Sequence, residues 1–259
     1  MTKFKIPIPF DYIAALLRTL WFGWLLIWFA FTGILAILCY LIVFNLFNGK
    51  RKVWATFYIT KWWGRFLMGG IGIFMHSKGS KHLDKNKTYI LVSNHLSMVD
   101  IPVCMSTCPV PFSFLAKKEV DKIPFVGYLA RNAHVYVDRK SPESRLKSME
   151  TMRKHLDEKS SIHLFVEGTR NKTDEPLQKF HKGAFSLAIE TQKPIAVMVI
   201  IGSENGMNPR FPYQASPAFP FAVYTEPIPT EGMTEDDVPM LMELVRERML
   251  SVLKEYKRA

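Results

Sequence analysis

A histidine and an aspartate five positions apart, in the run Ser93-Asn94-His95-Leu96-Ser97-Met98-Val99-Asp100, form the first constellation in the chain that could move a proton. On a straight helix, residues five apart point about 140° away from one another, so a helical reading would separate them. The preceding residues Thr88–Ser93 (TYILVS) read as a strand, and Pro102, favoured in a first helical turn, sets a helix start after Asp100. The two side chains would then meet across a turn at a strand end. A carboxylate on one imidazole nitrogen fixes the tautomer and leaves the other nitrogen as a base. An ordinary histidine pKa of about 6.5 suits that work at neutral pH. The blander reading is a surface histidine beside a helix-capping aspartate, and the pair alone is a weak signal.

The second constellation is Phe165-Val166-Glu167-Gly168-Thr169-Arg170, at the carboxyl end of another expected strand, where ligands gather in α/β sheets. Gly168 allows close backbone approach. Thr169 and Arg170 can donate to phosphate, the arginine bidentately. The alternative is a strand-to-loop turn with an exposed ion pair. No GxSxG nucleophile occurs, and Ser144–Lys147 (Ser-x-x-Lys) falls on an amphipathic segment without companion motifs. His134, His155, His163 and His181 lack clustered ligand spacing, so no metal is expected. Cys39, Cys104 and Cys108 form no CxxC pair and read as small core residues.

The elements that must hold these residues alternate. Strands are expected at Thr88–Ser93, Phe112–Ala116, Ala133–Val137, Ser161–Val166 and Pro194–Ile201. Helices are expected from Pro102, over Pro124–Arg131, from a Ser141 cap to Glu158, and over Lys182–Thr191. An amphipathic tail from Thr234 presents Met240, Leu241, Leu244, Val245, Met249 and Val252 on one face, and Gly202–Pro229 reads as a long loop. This pattern predicts an α/β domain with a mainly parallel sheet and flanking helices.

Ahead of it, no charged side chain lies between Arg18 and Lys50, and Trp21–Phe47 is long enough to cross a bilayer. The expected organisation is a membrane anchor over 1–52, either one helix or a helical hairpin broken near Gly33. An interfacial aromatic and basic segment follows over 53–79, with the α/β domain over 80–259. A signal peptide fits poorly, because the apolar run is too long and ends in Asn48-Gly49-Lys50-Arg51-Lys52. That basic flank places the domain on the cytoplasmic face of the cell's inner membrane. With 48% hydrophobic residues and a formal charge of +11, the chain is not a disordered one and suits acidic partners.

The order of these blocks resembles the glycerolipid acyltransferases, most of all the bacterial 1-acylglycerol-3-phosphate acyltransferases. Asn94-His95 with Asp100, Val137-Asp138-Arg139, Phe165 to Arg170 and Pro194-Ile195-Ala196-Val197 fall in the order of that family's four motifs. Ala116-Lys117-Lys118-Glu119 and Phe180-His181-Lys182-Gly183-Ala184 match further segments, and Val166 stands where the family usually has proline. The resemblance covers roughly residues 80–202. It implies transfer of an acyl chain from acyl-CoA or acyl carrier protein, as co-substrate, to the hydroxyl of a lysophospholipid, without an acyl-enzyme, a cofactor or nucleic acid. By the same resemblance His95 and Asp100 are catalytic. Asn94, Lys117, Arg139, Glu167, Gly168, Thr169 and Arg170 bind substrate, with Arg139 and the 167–170 run around the acceptor phosphate. Another lysolipid acceptor, a hydrolase, or a non-catalytic lipid-binding protein on this fold are the alternatives.

Overall fold

The computed structural model describes residues 9–117, 120, 122, 127–128, 134–137, 141–207 and 216–257. The expected helix over Pro124–Arg131 lies largely outside them, as do Asp138 and Arg139. Two long helices open the chain: α1 (Pro9–Leu46) and α2 (Gly49–Gly69). The apolar stretch Leu20–Leu46 is 27 residues, by length and composition enough to cross a membrane. At about 1.5 Å per residue it is roughly 40 Å long. The helix runs unbroken through Gly33, so the hairpin is made by α1 against α2 and not by a break within α1.

The pairing is antiparallel and aromatic. Trp28 packs on Phe66 with ring centroids 4.8 Å apart, and its Nε1 donates to the Leu67 carbonyl at 3.1 Å. Trp24 Nε1 donates to the Gly70 carbonyl at 3.0 Å. A Cβ on Gly70 would lie 2.1 Å from Trp28 Nε1, so only glycine lets the indole seat there. At the other end Tyr40 shares a buried 2.6 Å hydrogen bond with Thr60. The opposite face of α1 leaves Leu26, Ile27, Phe31, Ile34, Leu38, Ile42 and Leu46 exposed, an outward apolar stripe unsuited to water. Cys39 is exposed on this helix, whereas Cys104 and Cys108 are buried as expected.

The inner face of α2 rests on α3 (Asp100–Thr107), where Gly64 brings the helices together against Ser106 and Pro102. Lys61 Nζ donates to the Cys108 carbonyl at 2.7 Å, tying α2 to the end of α3. Behind them lies a seven-stranded sheet of β1 (His76–Lys78), β2 (Ile90–Ser93), β3 (Phe112–Lys117), β4 (Val135–Val137), β5 (Ser161–Phe165), β6 (Ile195–Ile201) and β7 (Phe221–Tyr224). Its order is β1-β7-β6-β2-β5-β3-β4, and every pairing is parallel except β6 with β7. The mainly parallel sheet is therefore present. Strands β1 and β7 were not expected: three and four residues long, they carry too short an apolar pattern to read as strands. β1 begins inside the segment read as interfacial, and β7 inside the segment read as loop.

Three longer helices of the domain follow: α4 (Pro142–Asp157), α5 (Gly183–Thr191) and α6 (Val238–Lys257). Ser141 caps α4 as its sequence implies, accepting from Ser144 N at 3.1 Å. One sheet face carries Ile90, Val92, Ile162, Val197 and Val199 against α4, α5 and α6. The other carries Leu91, Ala196, Met198 and Ile200 against α2 and α3. The helix after β2 thus lies on one face, and the helix after β5 on the other. Neighbouring parallel strands whose helices diverge in this way leave a crevice at their carboxyl ends, the usual place for a ligand.

Candidate active site

His95 and Glu167 are brought together by register. β2 and β5 pair in parallel with Ser93 opposite Phe165, so the residues two positions beyond each strand end face one another. The His95 N–H donates to Glu167 Oε1 at 2.9 Å, and the Gln178 N–H to Glu167 Oε2 at 2.8 Å. Asn171 N–H donates to the His95 carbonyl at 2.7 Å, so the loop after β5 grips the histidine's backbone from both sides. Glu167 is 2% exposed. Burial raises its carboxyl above the ordinary value, and the Gln178 and His95 N–H donors oppose that. Each of its oxygens accepts a backbone N–H.

Asn94 is occupied in the same way. Its Nδ2 donates to the Ile200 carbonyl at 2.9 Å and its Oδ1 accepts from Ile200 N at 2.8 Å, extending the β2–β6 ladder by one side-chain rung. Asn94 and Glu167, which the resemblance assigns to substrate, form a frame that holds the histidine's turn.

The turn itself is built around Asp100. This residue is fully buried and is the first residue of α3, one position earlier than Pro102 had implied. Its Oδ2 lies 2.7 Å from His95 Nδ1 and accepts from Leu96 N at 2.6 Å and Ser97 N at 2.8 Å. An oxygen that already accepts two N–H bonds takes a third, so Nδ1 carries the ring proton and Nε2 presents its lone pair. Ser97 Oγ donates to the Met207 carbonyl at 2.6 Å and accepts from Val99 N at 3.2 Å, closing the turn.

The imidazole lies flat on Phe165, with ring centroids 3.9 Å apart and planes 15° from parallel. Phe165 in turn meets His163 edge-on at 5.0 Å and Phe114 in parallel at 6.0 Å. Sequence reading passed over Phe165 because nothing in a strand-end phenylalanine says which ring it will face. His163 is buried beneath this stack, with Nε2 3.2 Å from Ser93 Oγ. Desolvation, then the neighbouring His95, push its pKa down to about 3.

Past Glu167 the chain turns through Gly168 at φ 70°, a left-handed conformation that favours glycine. Thr169 is exposed and Arg170 half-buried. Arg170 makes no hydrogen bond or ion pair with any described residue. Lys117 ends β3 with its side chain outside the described residues, as is all of Arg139. No group of three or more metal-ligating side chains occurs among the described residues.

The structure thus joins an α/β domain, with a carboxylate-held histidine at a strand-end crevice, to an apolar helical hairpin. An acyltransferase family model matches residues 75–201, and the chain belongs to that family. A mouse 1-acyl-sn-glycerol-3-phosphate acyltransferase alpha is 31% identical over 71% of this chain and 65% of its own. The human protein of the same name is 33% identical over 71% and 65%, and a yeast 1-acyl-sn-glycerol-3-phosphate acyltransferase 30% over 71% and 61%. The chain thus spans under two thirds of the length of these relatives. A solved structure, the 1-acyl-sn-glycerophosphate (LPA) acyltransferase PlsC from Thermotoga maritima, shares the fold. Its TM-score is 0.78, with 23% identity, 96% of this chain and 98% of that one covered.

The buried His163 sets an acid limb on stability. Its folded pKa lies below the ordinary 6.5, at about 3. The unfolded chain therefore takes up a proton that the folded one refuses. Its neutral form is fully compatible with folding above 6.5, and stability falls as pH drops from there toward about 3. Replacing it, as His163→Phe, should make the decline of Tm across that window shallower. Parallel Tm-against-pH curves for the two proteins would show that His163 is not buried neutral.

Proposed function

We propose that the protein transfers a fatty acyl group from a thioester, on coenzyme A or acyl carrier protein, to the free hydroxyl of 1-acyl-glycerol-3-phosphate, giving phosphatidic acid. The observation that carries this reading is the 2.7 Å contact of His95 Nδ1 with the buried Asp100 carboxylate. It leaves Nε2 as the base at the mouth of the crevice. In this mechanism Nε2 takes the hydroxyl proton as the acceptor oxygen attacks the thioester carbonyl carbon. The carbon–oxygen bond forms, the carbon–sulfur bond breaks, and the imidazolium returns the proton to the departing thiolate. Asp100 holds the ring and stabilises its charged form, and Phe165 backs its face. The names of the relatives support this acceptor over other lysolipids. Arg170, half-buried and without a partner among the described residues, is the group assigned to the acceptor phosphate, with Thr169, Arg139 and Lys117 nearby in the family pattern.

The proposed setting is the inner membrane with the α/β domain in the cytoplasm. The outward apolar stripe of α1 and the basic run Lys50-Arg51-Lys52 after it support this side. Protease added to sealed inside-out vesicles should digest the domain; a protected domain would reverse the topology.

Purified protein given acyl-CoA or acyl carrier protein thioester and lysophosphatidate should yield diacyl product by mass spectrometry. Free fatty acid alone would make it a hydrolase, and neither product a lipid-binding protein. His95→Ala should lower transfer by about 10²–10⁴ while the protein stays membrane-bound. Activity within about twofold of wild type would remove His95 from the base's role.

Arg170→Lys keeps a charge but loses the planar fork. It should raise KM for the phosphate-bearing acceptor more than KM for the thioester. A rise confined to the thioester would move Arg170 to the donor's side.

A further inference from the structure

The edge of the sheet farthest from β4 carries a strip of rings on strands that sequence reading missed. Phe74 and Phe219 stack with centroids 5.9 Å apart and planes 22° from parallel. They are 55% and 71% exposed, which for a stacked phenylalanine pair is a large apolar surface left toward solvent. Two residues on, His76 stacks on Phe221 at 4.9 Å. Two further on, the Lys78 ammonium lies 4.7 Å over the ring of Tyr256, which meets Phe221 edge-on at 5.3 Å. The pairing of β1 with β7 enforces the ladder: His76 sits opposite Phe221, and the bridge of Ile73 with Ala218 carries the same parallel register back to the phenylalanine pair.

The strip is graded. It runs from two bare phenyl rings, through an imidazole on a phenyl ring, to an ammonium on a phenol. Each two-residue step along a strand is roughly 6–7 Å. The headgroup region of one leaflet is of similar depth, about 5–7 Å between the hydrocarbon and water. Apolar rings at the hydrocarbon edge, amphipathic rings among headgroups and a lysine at the water side is the order in which a bilayer sorts side chains. The apolar end of the strip also adjoins the hairpin. Phe74 is four residues beyond Gly70, whose carbonyl accepts from Trp24 on α1, and Trp24 is 45% exposed beside the apolar stripe of that helix.

We infer that this sheet edge is a second membrane contact, in which Phe74 and Phe219 enter one leaflet of a phospholipid bilayer while His76 and Lys78 lie at rising height in its headgroup layer. The contact rests on the membrane-presented acceptor proposed above. It also sets the height of the catalytic turn. Gly206 packs against Ile73 and Ala218, and the next carbonyl, of Met207, accepts the Ser97 hydroxyl within that turn. The hairpin supplies attachment, and the sheet edge fixes the tilt that aims His95 at a lipid hydroxyl.

The test uses the full chain with Cys39→Ser, reconstituted in vesicles of phosphatidylcholine and phosphatidylglycerol. A nitroxide is placed in turn at Phe219→Cys, His76→Cys, Lys78→Cys and, on the exposed far side, Leu146→Cys. Collision with oxygen relative to a water-soluble nickel chelate should rank depth as 219, then 76, then 78, with 146 fully aqueous. A label at 219 as open to nickel as that at 146 overturns the proposal, whatever the enzyme does. In a second arm, the double variant Phe74→Ser with Phe219→Ser should lose at least about tenfold in transfer to vesicle-borne lysophosphatidate. Its transfer to a water-soluble short-chain acceptor should stay within about twofold. Equal loss on both acceptors would make the pair a fold element and defeat the inference. A wild-type protein inactive on both would refute the catalytic reading, leaving the depth ranking to decide the membrane contact.

Discussion

A single carboxylate oxygen holds the site together. Asp100 is fully buried, and taking an ionised carboxylate out of water costs several kcal/mol unless donors replace the solvent. Three N–H groups converge on its Oδ2, from Leu96, Ser97 and the His95 ring. The two backbone donors lie inside the turn between His95 and Asp100, so the charge that orients the imidazole also organises the chain segment carrying it. Removing any one donor leaves a buried charge less compensated. This ties the geometry of the turn to the His95–Asp100 pair.

The rest of the domain presents that turn at a fixed place. Asn94 anchors its start to β6, and Glu167 anchors the His95 amide to the loop after β5. Beneath it the aromatic layer of Phe165, His163 and Phe114 excludes water from one face of the imidazole. The His95 side chain remains 15% exposed, on a turn between strands whose following helices, α3 and α5, part to opposite faces of the sheet. Within the Glu-Gly-Thr-Arg run Glu167 points into the frame, Gly168 turns the chain, Thr169 stays exposed and Arg170 is half-buried.

The helical hairpin relates this site to a membrane. α1 is packed along α2, and α2 on α3, whose first residue is Asp100. The apolar stripe of α1 is therefore related to the His95–Asp100 turn through two helix contacts, one made close by Gly64 and one by Gly70.

Much was legible in the sequence. Apolar runs bounded by turn residues gave the central strands β2, β3, β5 and β6, and the Ser141-Pro142 cap gave the start of α4, because local chemistry decides those features. His95, Asp100 and the Glu-Gly-Thr-Arg run were legible as motifs, and the long uncharged stretch as an apolar helix. What only the tertiary structure decided is how those groups are used. The sequence could not tell that Glu167 and Asn94 bond to backbone groups of neighbouring segments, since that depends on the register of β2 against β5 and β6. Nor could it show that Phe165 backs the imidazole, or that α1 pairs with α2. Strands β1 and β7 were illegible for the same reason: too short to declare a period, they exist because a neighbouring strand supplies their hydrogen bonds. Residue types and spacing determine which chemistry is available; long-range pairing, which no local pattern encodes, determines where each side chain points.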